Sequence, residues 1–321
     1  MRTLGPTPPE LLDVARARSG YVTHAECRAA GFDAHARRRR VEAGLWVSPL
    51  AGIVDLEPNL VRTTAEHCLR RVHLAVLAAG DGAVAIGLAA LVLHGNRGVP
   101  SVFTARAARV DHQPRSHRGS VSQHAAFDVV DLDGGVRAAS ATWAIVQSLP
   151  DVGLLNVVAI LDSALNTGAV ESLDAVERLA RGRRGCRKLP ACLEVVDGRA
   201  ESFLETWARL QCIDAGIPPD ELQLLIPGRG GTVRRGDLAW RLPGGRWLVV
   251  EIDGVAVHGR LAAAYSDRER QNEIVSGGGV VVLRFTAADL RRRGYVPARI
   301  RTALVALSAA ASYAHNPGEQ A

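Results

Sequence analysis

Lysine is almost missing from this 321-residue chain: Lys188 is the single one, and arginine supplies the rest of the 39 basic residues. Any role that calls for an ammonium group must therefore be filled otherwise almost everywhere along the sequence. Cysteine is sparse and unpatterned. Cys27, Cys68, Cys186, Cys192 and Cys212 are odd in number and include no CxxC pair, which argues against a disulfide framework or a zinc site and leaves ordinary buried thiols. His67, His73, His94, His112, His117 and His124 match no metal-ligand spacing. No apolar run is long enough to cross a bilayer, and MRTLGPTPPE leads into a helix start rather than a signal peptide. The expectation is a cytoplasmic protein with no membrane partner.

What is present is length, positive charge and a few chemically dense stretches. A chain of this size is expected to form two or three domains. The formal charge of +6 favours a polyanionic partner. The basic residues gather in Arg37 to Arg40, in Arg181 to Lys188 (RGRRGCRK) and in Arg291 to Arg293, a distribution that suits nucleic acid.

The densest stretch is Asp237 to His258, DLAWRLPGGRWLVVEIDGVAVH. Trp247 to Val250 is an apolar run entered from a Pro-Gly-Gly turn, the pattern of a buried strand. Glu251 is then expected at that strand's end, beside Asp237 at the start of the preceding strand. Two carboxylates at adjacent strand ends form an oxygen-only site suited to Mg²⁺ or Mn²⁺. Upstream, Glu201 to Ala215 reads as a helix that carries Glu205, with Phe203, Leu204, Trp207 and Leu210 on its apolar face.

Glu205, Gln223, Asp237, the Glu251-Ile252-Asp253-Gly254 run, His258, Asp267 with Arg270, and Arg284 in VVVLRF resemble, in that order, the very-short-patch-repair endonucleases of the PD-(D/E)XK superfamily. The resemblance covers roughly residues 199 to 307. It implies a restriction-endonuclease-like α/β/α domain with a mixed central sheet, and a Mg²⁺ or Mn²⁺ ion on Asp237, Glu251 and the Ile252 carbonyl. By the same resemblance His258 carries a proton and Glu205 positions water or metal. The superfamily's usual lysine, two residues after the Glu, is replaced here by Asp253, read either as a third ligand or as a partner for Arg270. Arg270 and Arg284 are read either as phosphate contacts or as structural pairs.

The first sixty residues carry a separate pattern. A helix opens at Thr7-Pro8-Pro9-Glu10 and closes by Gly20. A second begins at Thr23-His24-Ala25-Glu26 and closes at Gly31, and a third runs from the Asp33 cap through AHARRRRVEAG to Gly44. LWVSPLAGIVDL then reads as a β wing. Three helices and a wing are the pattern of a winged helix-turn-helix, with Arg37, Arg38, Arg39 and Arg40 laid on DNA by the third helix. The segment resembles the amino-terminal domain of AbiEi-type antitoxins, and the region from Thr63 to about Val196 resembles that family's companion domain. Within it, the stretch from Val102 to Ser140 suggests a small sheet.

The expected organisation is thus a multidomain α/β chain. A winged helix-turn-helix spans 1–60, a small α/β domain 61–197, a nuclease-like domain 198–310 and a frayed tail 311–321. The function this implies is hydrolysis of DNA phosphodiesters, with a cognate toxin or a repair or defence protein as possible partner. The alternatives are a non-catalytic, antitoxin-like transcriptional regulator and RNA as the substrate.

Overall fold

A computed structural model describes residues 5–109, 127–132, 135–227, 233–253 and 279–314. Among the described residues the architecture is mixed α/β with three sheets, and no helix is long and apolar enough to cross a membrane. The chain divides into two compact units, one formed by 1–152 with 167–190 and the other by 153–166 with 191–321. Each is described in turn.

In the first unit, helices α1 (Pro9–Ala17), α2 (His24–Ala29) and α3 (Ala34–Glu42) accompany an antiparallel sheet of order β1-β3-β2, from Tyr21–Thr23, Ile53–Asp55 and Val47–Leu50. Local chemistry explains the helix starts. Thr23 and Glu26 form a reciprocal capping box on α2, and the Asp33 carboxylate accepts the Ala36 amide at the head of α3. At α1 the start falls one residue later than Thr7: Pro8 is the cap, Pro9 opens the helix, and no side chain caps it. Leu11, Val22, Cys27, Phe32, Trp46 and Val54 close a small core between these elements.

The same unit continues through α4 (Thr64–Ala79), β4 (Ala83–Ile86), α5 (Leu88–Leu93), β5 (Arg106–Arg109), β6 (Val129–Leu132), β7 (Val136–Ala139), α6 (Ala141–Ser148) and α8 (Asp174–Ala180). Its second sheet has the order β5-β4-β7-β6, with β4 and β7 parallel. Arg70 of α4 reaches back to Asp55 and the Ser19 carbonyl and lies 4.3 Å over the Tyr21 ring. That buried ion pair and cation–π contact explain why the chain does not separate at residue 60. All five cysteines are buried.

The second unit holds α7 (Leu154–Asn166), α10 (Phe203–Asp214), β8 (Glu221–Pro227), β9 (Val233–Leu242), β10 (Arg246–Asp253), β11 (Val280–Thr286), α11 (Ala287–Arg291) and α12 (Tyr295–Ala314). The short α9 (Leu189–Leu193) spans the point where the chain passes from the first unit to the second. The sheet of the second unit is mixed, with order β11-β10-β9-β8: β8, β9 and β10 are antiparallel neighbours, and β11 runs parallel to β10. Leu248, Val249 and Val250 are fully buried, as their apolar run requires. Leu238, Trp240, Leu283 and Phe285 join Ala208 and Cys212 of α10, and Val296 and Ile300 of α12, in one core.

Besides residue 60, the structure departs from the expected boundaries at two further places. Helix α7 belongs with the second unit, because buried Asp162 bonds Arg209 and Thr206 of α10 and the Asp197 amide, each at 2.7 Å. Helix α12 runs to Ala314, past position 311.

Candidate active site

The turn Pro243-Gly244-Gly245, with Gly244 and Gly245 both at positive φ, sends the chain from β9 back along β10. The resulting antiparallel register pairs Leu238 with Val250, so Asp237 and Glu251 occupy the next rung on neighbouring strands. Asp237 is not at the start of its strand, as the sequence pattern suggests, but in the middle of the ten-residue β9. Nor does β10 stop at Glu251, since it continues to Asp253. The Ile252 amide donates to Asp237 Oδ2 at 2.6 Å. In an extended strand the amide and carbonyl of one residue leave by the same edge, so the Ile252 oxygen also faces Asp237's strand.

Gly236 explains the fit beside Asp237. A Cβ at that position would lie 2.1 Å from Val249 Cγ1 on β10, so any side chain there would drive the strands apart.

Helix α10 brings Glu205 in from its first turn, where the Ser202 hydroxyl caps the Glu205 amide. The Glu205 side chain is buried, and its Oε2 accepts from the Glu201 amide at 2.8 Å and from Gln223 Nε2 at 2.7 Å. Gln223 is a residue to which the sequence pattern assigns no role of its own. It sits on β8 between the Leu222–Leu238 and Leu224–Gly236 pairs, opposite Asp237, with a left-handed φ of 54°. A glutamine held in that region carries strain of the kind that collects at functional sites. Its Nε2 is committed to Glu205, while its buried Oε1 has no hydrogen-bond partner among the described residues. Its place opposite Asp237 is a matter of strand register, which the local sequence does not mark.

The electrostatics arise from this crowding. The Asp237 carboxyl is pushed up to about 6, first by burial and then by the negative charges of Glu205 and Glu251, with the Ile252 amide and Arg235 pulling the other way. A half-buried acid that resists ionisation beside two other acids is stabilised by a cation. Arg284 supplies part of that charge: its Nε donates to Glu251 Oε2 at 2.7 Å across the Glu251–Arg284 rung of β10 and β11. Of the two readings of Arg284, the structure shows the pair. Asp237 Oδ1 and Glu251 Oε1 accept no hydrogen bond among the described residues.

Glu205, Asp237, Glu251 and Ile252 are thus brought into one neighbourhood. Asp253 ends β10 in register with Thr286, exposed. His258, Asp267 and Arg270 lie outside the described residues. Among the described residues no group of three or more His, Cys, Asp or Glu side chains is gathered tightly enough to hold a metal ion by itself. The donors a hard divalent cation would find are two carboxylates and a carbonyl, all oxygen, which suits Mg²⁺ or Mn²⁺.

In the first unit the four arginines of α3 do not share a face, since residues on a helix turn by about 100° each. Arg37 is buried and donates to the Phe32 carbonyl at 3.0 Å. Arg40 is also buried, donates to the Gly5 carbonyl at 2.7 Å, and lies 4.3 Å over Phe32 and 5.0 Å over Trp46. Both are committed to internal contacts, so they are not the surface side chains that the sequence pattern makes of all four. Arg38 and Arg39 remain exposed, the former paired with Glu42 at 2.8 Å.

No family model matches the chain. It is similar to two uncharacterized proteins of Mycobacterium tuberculosis, from strains CDC 1551 / Oshkosh and ATCC 25618 / H37Rv. Each is 34% identical over 169 residues, which is 52% of this chain and 61% of the relative. The chain thus spans about three-fifths of the length of the curated relatives it matches.

Proposed function

We propose that this chain is a metal-dependent endonuclease that hydrolyses DNA phosphodiesters, with a restriction-endonuclease-like core in its second unit and a winged-helix reader at its amino terminus. The observation that carries this reading is the adjacent-strand pair Asp237 and Glu251, with Glu205 close enough to help push the Asp237 carboxyl up to about 6. Asp237, Glu251 and the Ile252 carbonyl would hold Mg²⁺ or Mn²⁺. When bound, such an ion acts as a Lewis acid on the phosphoryl oxygens and lowers the pKa of water. The chain's own residues do the rest. The Ile252 amide fixes Asp237, Arg284 fixes Glu251, and Gln223 fixes Glu205, so the three carboxylates enter the reaction with set orientations. His258 is the proton carrier in this reading, and Arg270 a phosphate contact. Arg38 and Arg39 are the members of the α3 run that meet DNA phosphates. A cytoplasmic location and a toxin, repair or defence partner belong to the same proposal.

One observation favours the second reading, a regulator that binds DNA without cutting it. Arg284 already supplies Glu251 with a cation, and Asp253 stands where a lysine would steady the attacking water. Purified protein incubated with supercoiled plasmid, and with single- and double-stranded oligonucleotides of DNA and RNA, in Mg²⁺, Mn²⁺ or EDTA separates the two. Metal-dependent cutting lost in Asp237→Ala and Glu251→Ala is expected. Tight binding without cutting under any metal would favour the regulator, and cutting retained by Glu251→Ala would remove that residue from the site.

A further inference from the structure

The loop after α8 is a basic surface with a closely pinned backbone. Residues 181–188, RGRRGCRK, wind through successive turns: the Arg183 amide donates to the Ala180 carbonyl, the Cys186 amide to Arg183 and the Leu189 amide to Cys186. Three contacts pin those turns to the rest of the first unit. Gly185, at φ +83°, sits so close to Pro150 that a Cβ would lie 2.7 Å from its ring. The Lys188 ammonium donates to the Val152 carbonyl. The Arg183 guanidinium lies 4.9 Å over the Trp143 ring, and its Nε donates to the Leu179 carbonyl at 2.6 Å. Cys186 points inward and is buried.

With those groups used as anchors, the remaining arginines face outward. Arg181, Arg184 and Arg187 are exposed around a concave surface of about 590 Å³. Arg181 has Glu177 at 4.0 Å, the limit of an ion pair. Arg184 and Arg187 have no acidic partner among the described residues. Elsewhere many exposed arginines are paired at much shorter range, as in Arg16 with Asp13 at 2.7 Å, Arg106 with Asp151 at 2.8 Å and Arg199 with Asp197 at 2.8 Å. Guanidinium groups that line one concave surface repel one another, and an anion between them relieves that repulsion.

We propose that the Arg181–Arg187 loop is a phosphate-backbone clamp for DNA, a second contact surface besides α3. The guanidinium fork matches phosphate oxygens two at a time, and a concave arginine-lined surface admits a sugar-phosphate strand. No large apolar residue of the loop is exposed, so it lacks what a membrane-surface anchor would insert. The clamp rests on the DNA-binding half of the function proposed above and is independent of the hydrolytic half.

The test is the salt dependence of binding to a 20-base-pair duplex in EDTA, where no metal-dependent cutting occurs. It compares wild type, Arg184→Ala/Arg187→Ala, and Arg16→Ala as an exposed control, with thermal unfolding to verify that each is folded. Losing two phosphate contacts lowers the slope of log K against log salt by about 1.8 in the double variant, and the control leaves it unchanged. A wild-type slope in a folded double variant overturns the clamp and leaves DNA binding by α3 standing. No duplex binding by wild type overturns both. Wild-type binding to vesicles of phosphatidylserine and phosphatidylcholine that the double variant loses, with duplex binding unaltered, assigns the loop to a membrane and also overturns the clamp. Binding lost in the double variant by a protein that never cuts would uphold the clamp and count against the nuclease.

Discussion

Two aspartates of the second unit, buried Asp162 on α7 and half-buried Asp237 on β9, illustrate how surroundings change what one residue type can do. Burial pushes both carboxyls up. At Asp162 the Arg209 guanidinium, the Asp197 amide and the Thr206 hydroxyl pull it back, and the carboxylate, almost fully buried, is satisfied on all sides. At Asp237 only the Ile252 amide and the charge of Arg235 compensate, while Glu205 and Glu251 add repulsion. The first is a completed ion pair that ties α7 to α10. The second has no such partner, and in the proposed reading a divalent cation takes that place.

The contrast can be broken from either side, beginning with the largest effect. Asp162→Ala leaves Arg209 buried and charged with no counter-ion, at a cost of about 3–5 kcal/mol. Denaturant unfolding of the whole chain reads it, and a loss under about 1 kcal/mol would show that the pair is not what fastens α7. Gly236→Ala forces a Cβ against Val249 beside Asp237 and costs about 1–3 kcal/mol, with the metal response weakened as the strands part. An unchanged unfolding midpoint would mean that β9 and β10 tolerate separation. Arg40→Ala removes a buried guanidinium that stacks on Phe32 and Trp46, and about 1–2 kcal/mol with it. Arg38→Ala/Arg39→Ala changes stability by less than about 0.5 kcal/mol and weakens DNA binding instead. If Arg40→Ala alone weakened binding without loss of stability, the assignment of inner and outer arginines would be reversed.

The sequence carried the site better than it carried the assembly of the units. The apolar run Trp247 to Val250 and the Pro-Gly-Gly turn sufficed to bring Asp237 and Glu251 to neighbouring strands, because register between short-range strands is set by the turn and the buried face. The capping box at Thr23 and Glu26 and the Asp33 cap were legible for the same reason, as local hydrogen bonds. The membership of α7 in the second unit was not legible. It depends on Asp162 meeting Arg209, 47 positions on, and nothing local marks that contact. The run of four arginines misled as a group, since consecutive helical residues face different ways and two of these lie under aromatic and backbone partners. Gln223 escaped assignment because its importance lies in a left-handed backbone and an orphaned oxygen, neither visible in its letter.

The sign of the pH dependence makes Asp237 testable without any substrate. Its folded-state carboxyl titrates above the ordinary value of 3.8, so its contribution favours folding below about pH 4 and is lost as pH rises through about 6. At pH 7.5 and without metal, ionised Asp237 is therefore a burden that Asp237→Asn removes while still offering an oxygen to the Ile252 amide. Binding of a divalent cation reverses the balance by favouring the ionised form. The decisive measurement is the thermal unfolding midpoint of wild type and Asp237→Asn at pH 7.5 and pH 5, with EDTA and with millimolar Mn²⁺ or Mg²⁺. A cation site at Asp237 predicts that the variant melts above wild type in EDTA at pH 7.5, that metal raises the wild-type midpoint more at pH 7.5 than at pH 5, and that the variant does not respond to metal. Equal midpoints in EDTA at pH 7.5, with no metal response from wild type, would contradict such a site.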